Sequence, residues 1–215
     1  MIRTLIIPGY RGSEPGHWQR HWALDNPSSE VVEQQDFIRP DLADWLHRLE
    51  AYLAAAPGAV LVAHSLGCAL VAHLASRPSA AHVGGALLVA PADVDVLSND
   101  ITDFATFAAL PRGELPFPSI LVASRDDPFM RYARAEAFAA AWGAGLVDLG
   151  KAGHINVASG FGPWPEGVIL AEALRARKAA NVERGPRGET VTLRQPSIGA
   201  AFAGAARAEL RVSCG

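Results

Sequence analysis

Three side chains in this sequence could together run acyl-transfer chemistry. Ser65 lies in "AHSLG", an aspartate pair, Asp126 and Asp127, lies in "SRDDPF", and His154 lies in "AGHIN". A serine hydroxyl is a weak nucleophile until a base removes its proton, and an imidazole does so best when a carboxylate fixes its tautomer. Serine first, acid second and histidine last is one of the chain orders in which such a set recurs. Ser65 read alone would be a helix N-cap, Asp127 an N-cap before Pro128 at a first helical position, and His154 a loop histidine.

The elements around these residues argue for the chemical reading. "AVLVAHSLGCALVAH", residues 59–73, is a short β-branched run that turns at Ser65 into an apolar helical pattern from Leu66 to Ala75. It sits in an uncharged stretch from Ala51 to Ser76, long enough to cross a bilayer but broken by Pro57-Gly58 and divided by His64, Ser65 and Gly67. A buried strand feeding a buried helix fits it better than a membrane span. The residues two before and two after such a serine must be small, and Ala63 and Gly67 are. This is the pattern of the nucleophile elbow of α/β-hydrolases, with alanine where the first glycine is usual.

Further apolar runs, "TLIIPG" (4–9), "GALLVAP" (85–91), "SILVAS" (119–124) and "GLVDLG" (145–150), read as buried strands, with "EVVEQQDF" (30–37) a weaker edge strand. Helical patterns fall at 14–24, 42–53, from Pro128 to Trp142 and from Pro165 to Arg177. Strands alternating with helices predict a compact α/β-hydrolase: a mostly parallel central sheet, helices on both faces and no large lid. Residues 1–177 are expected to form the domain. Residues 178–215 lack a clear period and mix Gly and Pro with charge; they are expected to be a disordered or loosely docked tail.

The acid is expected just past the 119–124 strand. Asp126 and Asp127 both qualify, and Asp93, one strand earlier, is a rival. The elbow aims the Leu66 N–H at a developing oxyanion, and the loop after the first strand should supply a second donor, Tyr10 N–H first and Arg11 N–H second. Between Pro91 and Phe117 there is little chain for a lid. Phe104, Phe107 and Leu110 are expected to wall a shallow acyl site with Trp164, whose alternative is packing under the last helix. Arg11 is a further candidate substrate contact.

Other chemistry finds little support. The formal charge of −3 gives no reason to expect nucleic acid or an anionic membrane, although the 178–215 segment is basic and the rest acidic. His17 and His21 have i, i+4 spacing, but Trp18 stands where a zinc protease has glutamate and no third ligand is evident, so no metal and no cofactor is expected. His64 and His73 lie in apolar surroundings and read as structural, with His64 also a candidate to help shape the elbow. Cys68 reads as a small buried hydrophobe, and Cys214 is too distant in sequence to imply a framework. The N-terminal apolar run is too short for a signal peptide, so a cytoplasmic protein is expected.

The motifs "PGYRGSEPGHWQRHW", "AHSLGC", "SRDDPF", "AGHIN" and "GFGPWPEG", in that order over residues 1–177, resemble the small YdeN-like serine hydrolases, which include the retinoblastoma-binding-protein type. The resemblance implies Ser65 as nucleophile, His154 as base and, as the aspartate directly before proline, Asp127 as acid. It implies no cofactor. No L-x-C-x-E motif is present, so the partner that named one branch is not implied and protein partners stay unknown. The activity expected is hydrolysis of small-molecule carboxylic esters; the alternatives are amide or thioester hydrolysis, or a non-catalytic interaction module that keeps the fold.

Overall fold

The computed structural model describes residues 3–183. Six strands form one sheet: β1 (Thr4–Ile7), β2 (Ser29–Val31), β3 (Val60–His64), β4 (Gly85–Val89), β5 (Ser119–Ala123) and β6 (Gly145–Asp148). Their order is β2-β1-β3-β4-β5-β6, and every neighbouring pair is parallel. The helices are α1 (Trp18–Asp25), α2 (Leu42–Ala55), α3 (Leu66–Leu74), α4 (Val94–Leu97), α5 (Tyr132–Ala141) and α6 (Pro165–Glu183). The architecture is the compact α/β-hydrolase fold that the alternating runs predict.

The strands are apolar throughout because both faces of the sheet are covered. Leu5, Ile7, Leu61, Ala63, Leu88 and Leu121 join a cluster with residues of α2, α3 and α5. The intervening Ile6, Val62, Leu87, Val89 and Val122 are equally buried and, by strand alternation, face the other way. On that side α6 packs on β3, β4 and β5, and Trp18 of α1 meets Trp164 at the start of α6, ring centroids 5.3 Å apart.

Two sequence boundaries move. The helix expected from Pro128 begins at Tyr132, with Arg131 as its N-cap, because residues 128–130 form bends instead. The last helix runs past Arg177 to Glu183. The expected tail therefore starts inside a helix, and its remainder, 184–215, lies outside the described residues.

The strand order reverses direction at β1 and β3: the chain leaves β1 toward β2 on one side, then returns to β3 on the other. In open parallel sheets the crevice at the carboxyl ends of such a pair is where ligands bind. Gln19 of α1 spans this point, its side-chain amide donating to Ile7 O and Val62 O, 3.1 Å each. Gly67 lets α3 press onto β1, since a Cβ there would fall 2.6 Å from Ile7 O and 2.8 Å from Pro8 O.

Both obstacles are backbone and cannot swing aside. Gly67→Ala is therefore expected to destabilise the fold by about 1–3 kcal/mol, read as a lowered urea midpoint. Gly113→Ala, where an added Cβ would meet nothing within 4 Å, should leave the midpoint nearly unchanged. Equal midpoints for the two variants would contradict the close approach.

Candidate active site

Ser65 occupies the one-residue turn between β3 and α3 with φ 55° and ψ −122°. Such a backbone is strained for any residue with a Cβ and persists only where its surroundings over-determine it. Here Ser65 N–H donates to Val89 O at 3.1 Å, and Ser65 O accepts from Cys68 N–H at 3.0 Å and Ala92 N–H at 3.4 Å. Although Ser65 stands at the N-cap position of α3, its hydroxyl makes no capping hydrogen bond. The helix-cap reading therefore does not explain this serine.

The loop after β1 closes against the elbow. A Cβ on Gly9 would lie 2.9 Å from Ser65 Cβ and 3.2 Å from Leu66 N. Among the described residues, neither Tyr10 N–H nor Leu66 N–H has a hydrogen-bond acceptor, whereas Arg11 N–H is taken by Phe37 O at 2.8 Å. Arg11 is thereby removed as a backbone donor.

His154 follows β6 and Asp127 follows β5. His154 Nδ1 lies 3.0 Å from both Asp127 carboxylate oxygens, and the two side chains are 8% and 2% exposed. Asp127 is not a helix cap: its Oδ1 accepts the Phe129 N–H at 2.8 Å within the bends before α5. The neighbouring Asp126 points elsewhere, accepting from Ser124 Oγ and from Gly153 N–H at 2.8 Å each. It ties down the loop that carries His154, and these bonds, the Gly153 N–H foremost, hold its carboxyl below the usual range. Asp93 is engaged by Arg134, which donates to both its oxygens at 2.6 and 2.8 Å.

A cavity of about 470 Å³ opens on Ser65 and His154. Leu97, Ile101, Phe104, Ala92 and Phe129 give it apolar surface, and Arg11, Glu14, His17, His64 and Asn156 give it polar surface. Three of the four expected wall residues are elsewhere. Phe107 is fully buried against Trp45, centroids 5.4 Å apart, because its 3₁₀ turn directs it into the core under α2. Trp164 packs on Trp18 and beneath α6, where a Cβ on Gly167 would collide with its ring. Leu110, also expected, is buried in the same cluster as Phe107. Phe104 does reach the cavity, edge-on to Tyr10 at 5.2 Å, and the Tyr10 hydroxyl donates to Asp103.

The sequence reading gave His64 only a general part in shaping the elbow and His17 none. His64 donates from Nε2 to His154 O at 2.9 Å, and its ring lies 4.8 Å from those of both His17 and His154. His17 Nδ1 accepts the Gln19 N–H and so caps α1. Burial above all, then the neighbouring histidines, holds His64 well below its ordinary value. Burial, then His154 and Arg20, pulls His17 down to about 4. Both are therefore uncharged at neutral pH. A cation forming on His154 would meet the Asp127 carboxylate and no competing positive charge from either ring.

The description of the family model that matches residues 4–173 is serine hydrolase. This chain belongs to the serine hydrolase family. It is similar to YdeN of Bacillus subtilis, assigned as a hydrolase, at 26% identity over 172 residues, 76% of this chain and 90% of that one. A crystal structure assigned as a YdeN-like hydrolase from Pectobacterium atrosepticum aligns at 31% identity and TM-score 0.71, covering 82% of this chain and 92% of the other. Est1E of Butyrivibrio proteoclasticus, solved with ferulic acid, shares the fold at 12% identity and TM-score 0.60, over 85% and 90% of the two chains. Among the described residues of this serine hydrolase, no helix is long and apolar enough to cross a membrane.

The buried neutral histidines fix a sign for acid stability. His17 takes up a proton at its ordinary 6.5 when unfolded but only near 4 when folded. Its contribution is thus complete above about 6.5 and lost as the pH falls from there toward 4. His64 shifts in the same direction. His17→Asn keeps a capping side chain without a titrating ring, so its urea midpoint should fall less between pH 7 and pH 4.5 than that of the wild type. Parallel declines would contradict a neutral His17.

Proposed function

We propose that this serine hydrolase cleaves small carboxylic esters through an acyl-enzyme on Ser65, with His154 as the base and Asp127 as the acid that orients it. The observation that carries the reading is His154 bound at Nδ1 by a nearly buried Asp127 while lining the same cavity as Ser65. With Nδ1 engaged by the carboxylate, the proton acceptor is Nε2. It takes the Ser65 hydroxyl proton as Oγ attacks the ester carbonyl, and returns it to the departing alkoxide. Water then repeats the sequence on the acyl-enzyme, releasing the acid. The oxyanion formed in each half is assigned to the unoccupied N–H groups of Leu66 and Tyr10.

Replacing Ser65 or His154 by Ala is expected to lower kcat by roughly 10⁴–10⁶, and the double variant to be little worse than either, because members of one catalytic unit are not additive. Losses that multiply would contradict a shared step. Asp127→Asn is expected to cost far more turnover than Asp126→Asn or Asp93→Asn. Near-normal turnover in Asp127→Asn with loss in Asp93→Asn would move the acid to the earlier strand.

The apolar patch of Leu97, Ile101 and Phe104 is small, so it can cover only a few methylenes. Each buried CH₂ is worth roughly 0.8 kcal/mol, so kcat/KM on p-nitrophenyl esters is expected to rise from acetate to about butyrate and then level or fall. A steady rise through dodecanoate would contradict so short an acyl site.

A further inference from the structure

Two successive carbonyls of the loop that carries His154 are held by buried donors from outside it. His64 Nε2 donates to His154 O, and Trp18 Nε1 donates to Ile155 O, each at 2.9 Å. Between these anchors Ile155, fully buried, adopts φ 48°. A β-branched residue in the left-handed region is strained and stays there only if its neighbours hold it. We propose that His64 and Trp18 are positioning residues that clamp the His154–Ile155 backbone, so that the base is registered against the turn bearing the nucleophile. The proposal rests on the catalytic roles given above to Ser65 and His154.

The chain path makes the clamp direct. His64 is the last residue of β3 and is bonded to Ser65. The residue next to the nucleophile therefore grips the backbone of the base, before any substrate enters. Trp18 supplies the second point from α1, where its ring packs edge-on to His64 at 5.9 Å and against Trp164. Other ties of the loop, among them Ser159 Oγ on the His154 N–H, Asp126 on the Gly153 N–H, Ser124 Oγ on the Ala152 N–H and the Arg125 N–H on Gly150 O, leave the carbonyls of His154 and Ile155 to His64 and Trp18. Burial keeps His64 neutral, and with its proton at Nε2 it remains a donor to His154 O. If either bond is lost, the Ile155 backbone can relax toward its extended region and carry the imbalance into the His154 ring. A misplacement of about 1 Å can cost roughly 10²-fold in rate.

The test is the steady-state hydrolysis of p-nitrophenyl acetate by the full chain. His64→Leu should lower kcat by roughly 10- to 100-fold with KM close to wild type. His64→Gln, which restores an N–H at similar reach, should recover most of that loss. Trp18→Phe keeps an aromatic ring and drops the N–H, and should lower kcat alone; it carries the test if His64→Leu does not fold. In a His154→Ala background neither substitution should reduce the residual rate further, because no base remains to position. Wild-type kcat in both His64→Leu and Trp18→Phe, a Gln variant no better than Leu, or the same fold-loss with His154 absent would overturn the clamp. Full activity in Ser65→Ala would instead overturn the acyl-enzyme reading on which it rests.

Discussion

The strained turn at Ser65 is the constraint around which the rest of the molecule is arranged. Its left-handed backbone lifts a hydroxyl off the carboxyl edge of the sheet, and it needs neighbours without side chains on two sides. Gly67 supplies one by letting α3 sit on the end of β1, and Gly9 supplies the other by letting the β1 loop approach Ser65 and Leu66. The strain is outweighed by what surrounds it. Fully buried strands on both sides, the Val89 carbonyl on Ser65 N–H, and the Gln19 amide across Ile7 and Val62 leave the turn no other conformation to relax into.

Electrostatics follow from the same burial. Three histidine rings cluster beside the serine, yet only His154 has a carboxylate partner among the described residues. His17 and His64 are kept neutral, so they serve as directional hydrogen-bonding groups instead of charges. The family assignment gives a serine hydrolase; these two rings show how this chain surrounds its imidazole with polar atoms without adding competing cations. The cavity they line also has an apolar portion, at Leu97, Ile101 and Phe104.

Much of this was legible in the sequence because doubly covered parallel strands have nowhere to put a polar residue. The runs at 4–9, 85–91, 119–124 and 145–150 each contain a strand, and the polar "HS" at the end of an apolar run marked the elbow. What failed was reading where a side chain goes once its element is placed. Pro128 looked like a helix start, but residues 128–130 form bends, and Asp127 uses an oxygen on the Phe129 N–H as well as on His154. Phe107 was expected in the cavity, and Trp164 either there or under the last helix, where it lies. Their directions are set by packing with Trp45 and Trp18, residues far away in the chain. His64 read as structural because its bond partner, the backbone of residue 154, has no identity in sequence.

Covalent labelling tests the central claim, that the turn presents an activated serine. A fluorophosphonate reacts with a serine whose proton is being removed, and ordinary hydroxyls are inert to it. Mass spectrometry of the labelled wild-type chain should find one adduct, on the peptide containing Ser65, and His154→Ala should lose nearly all of it while remaining folded. Absence of an adduct at Ser65, or labelling there undiminished by loss of His154, would contradict the account.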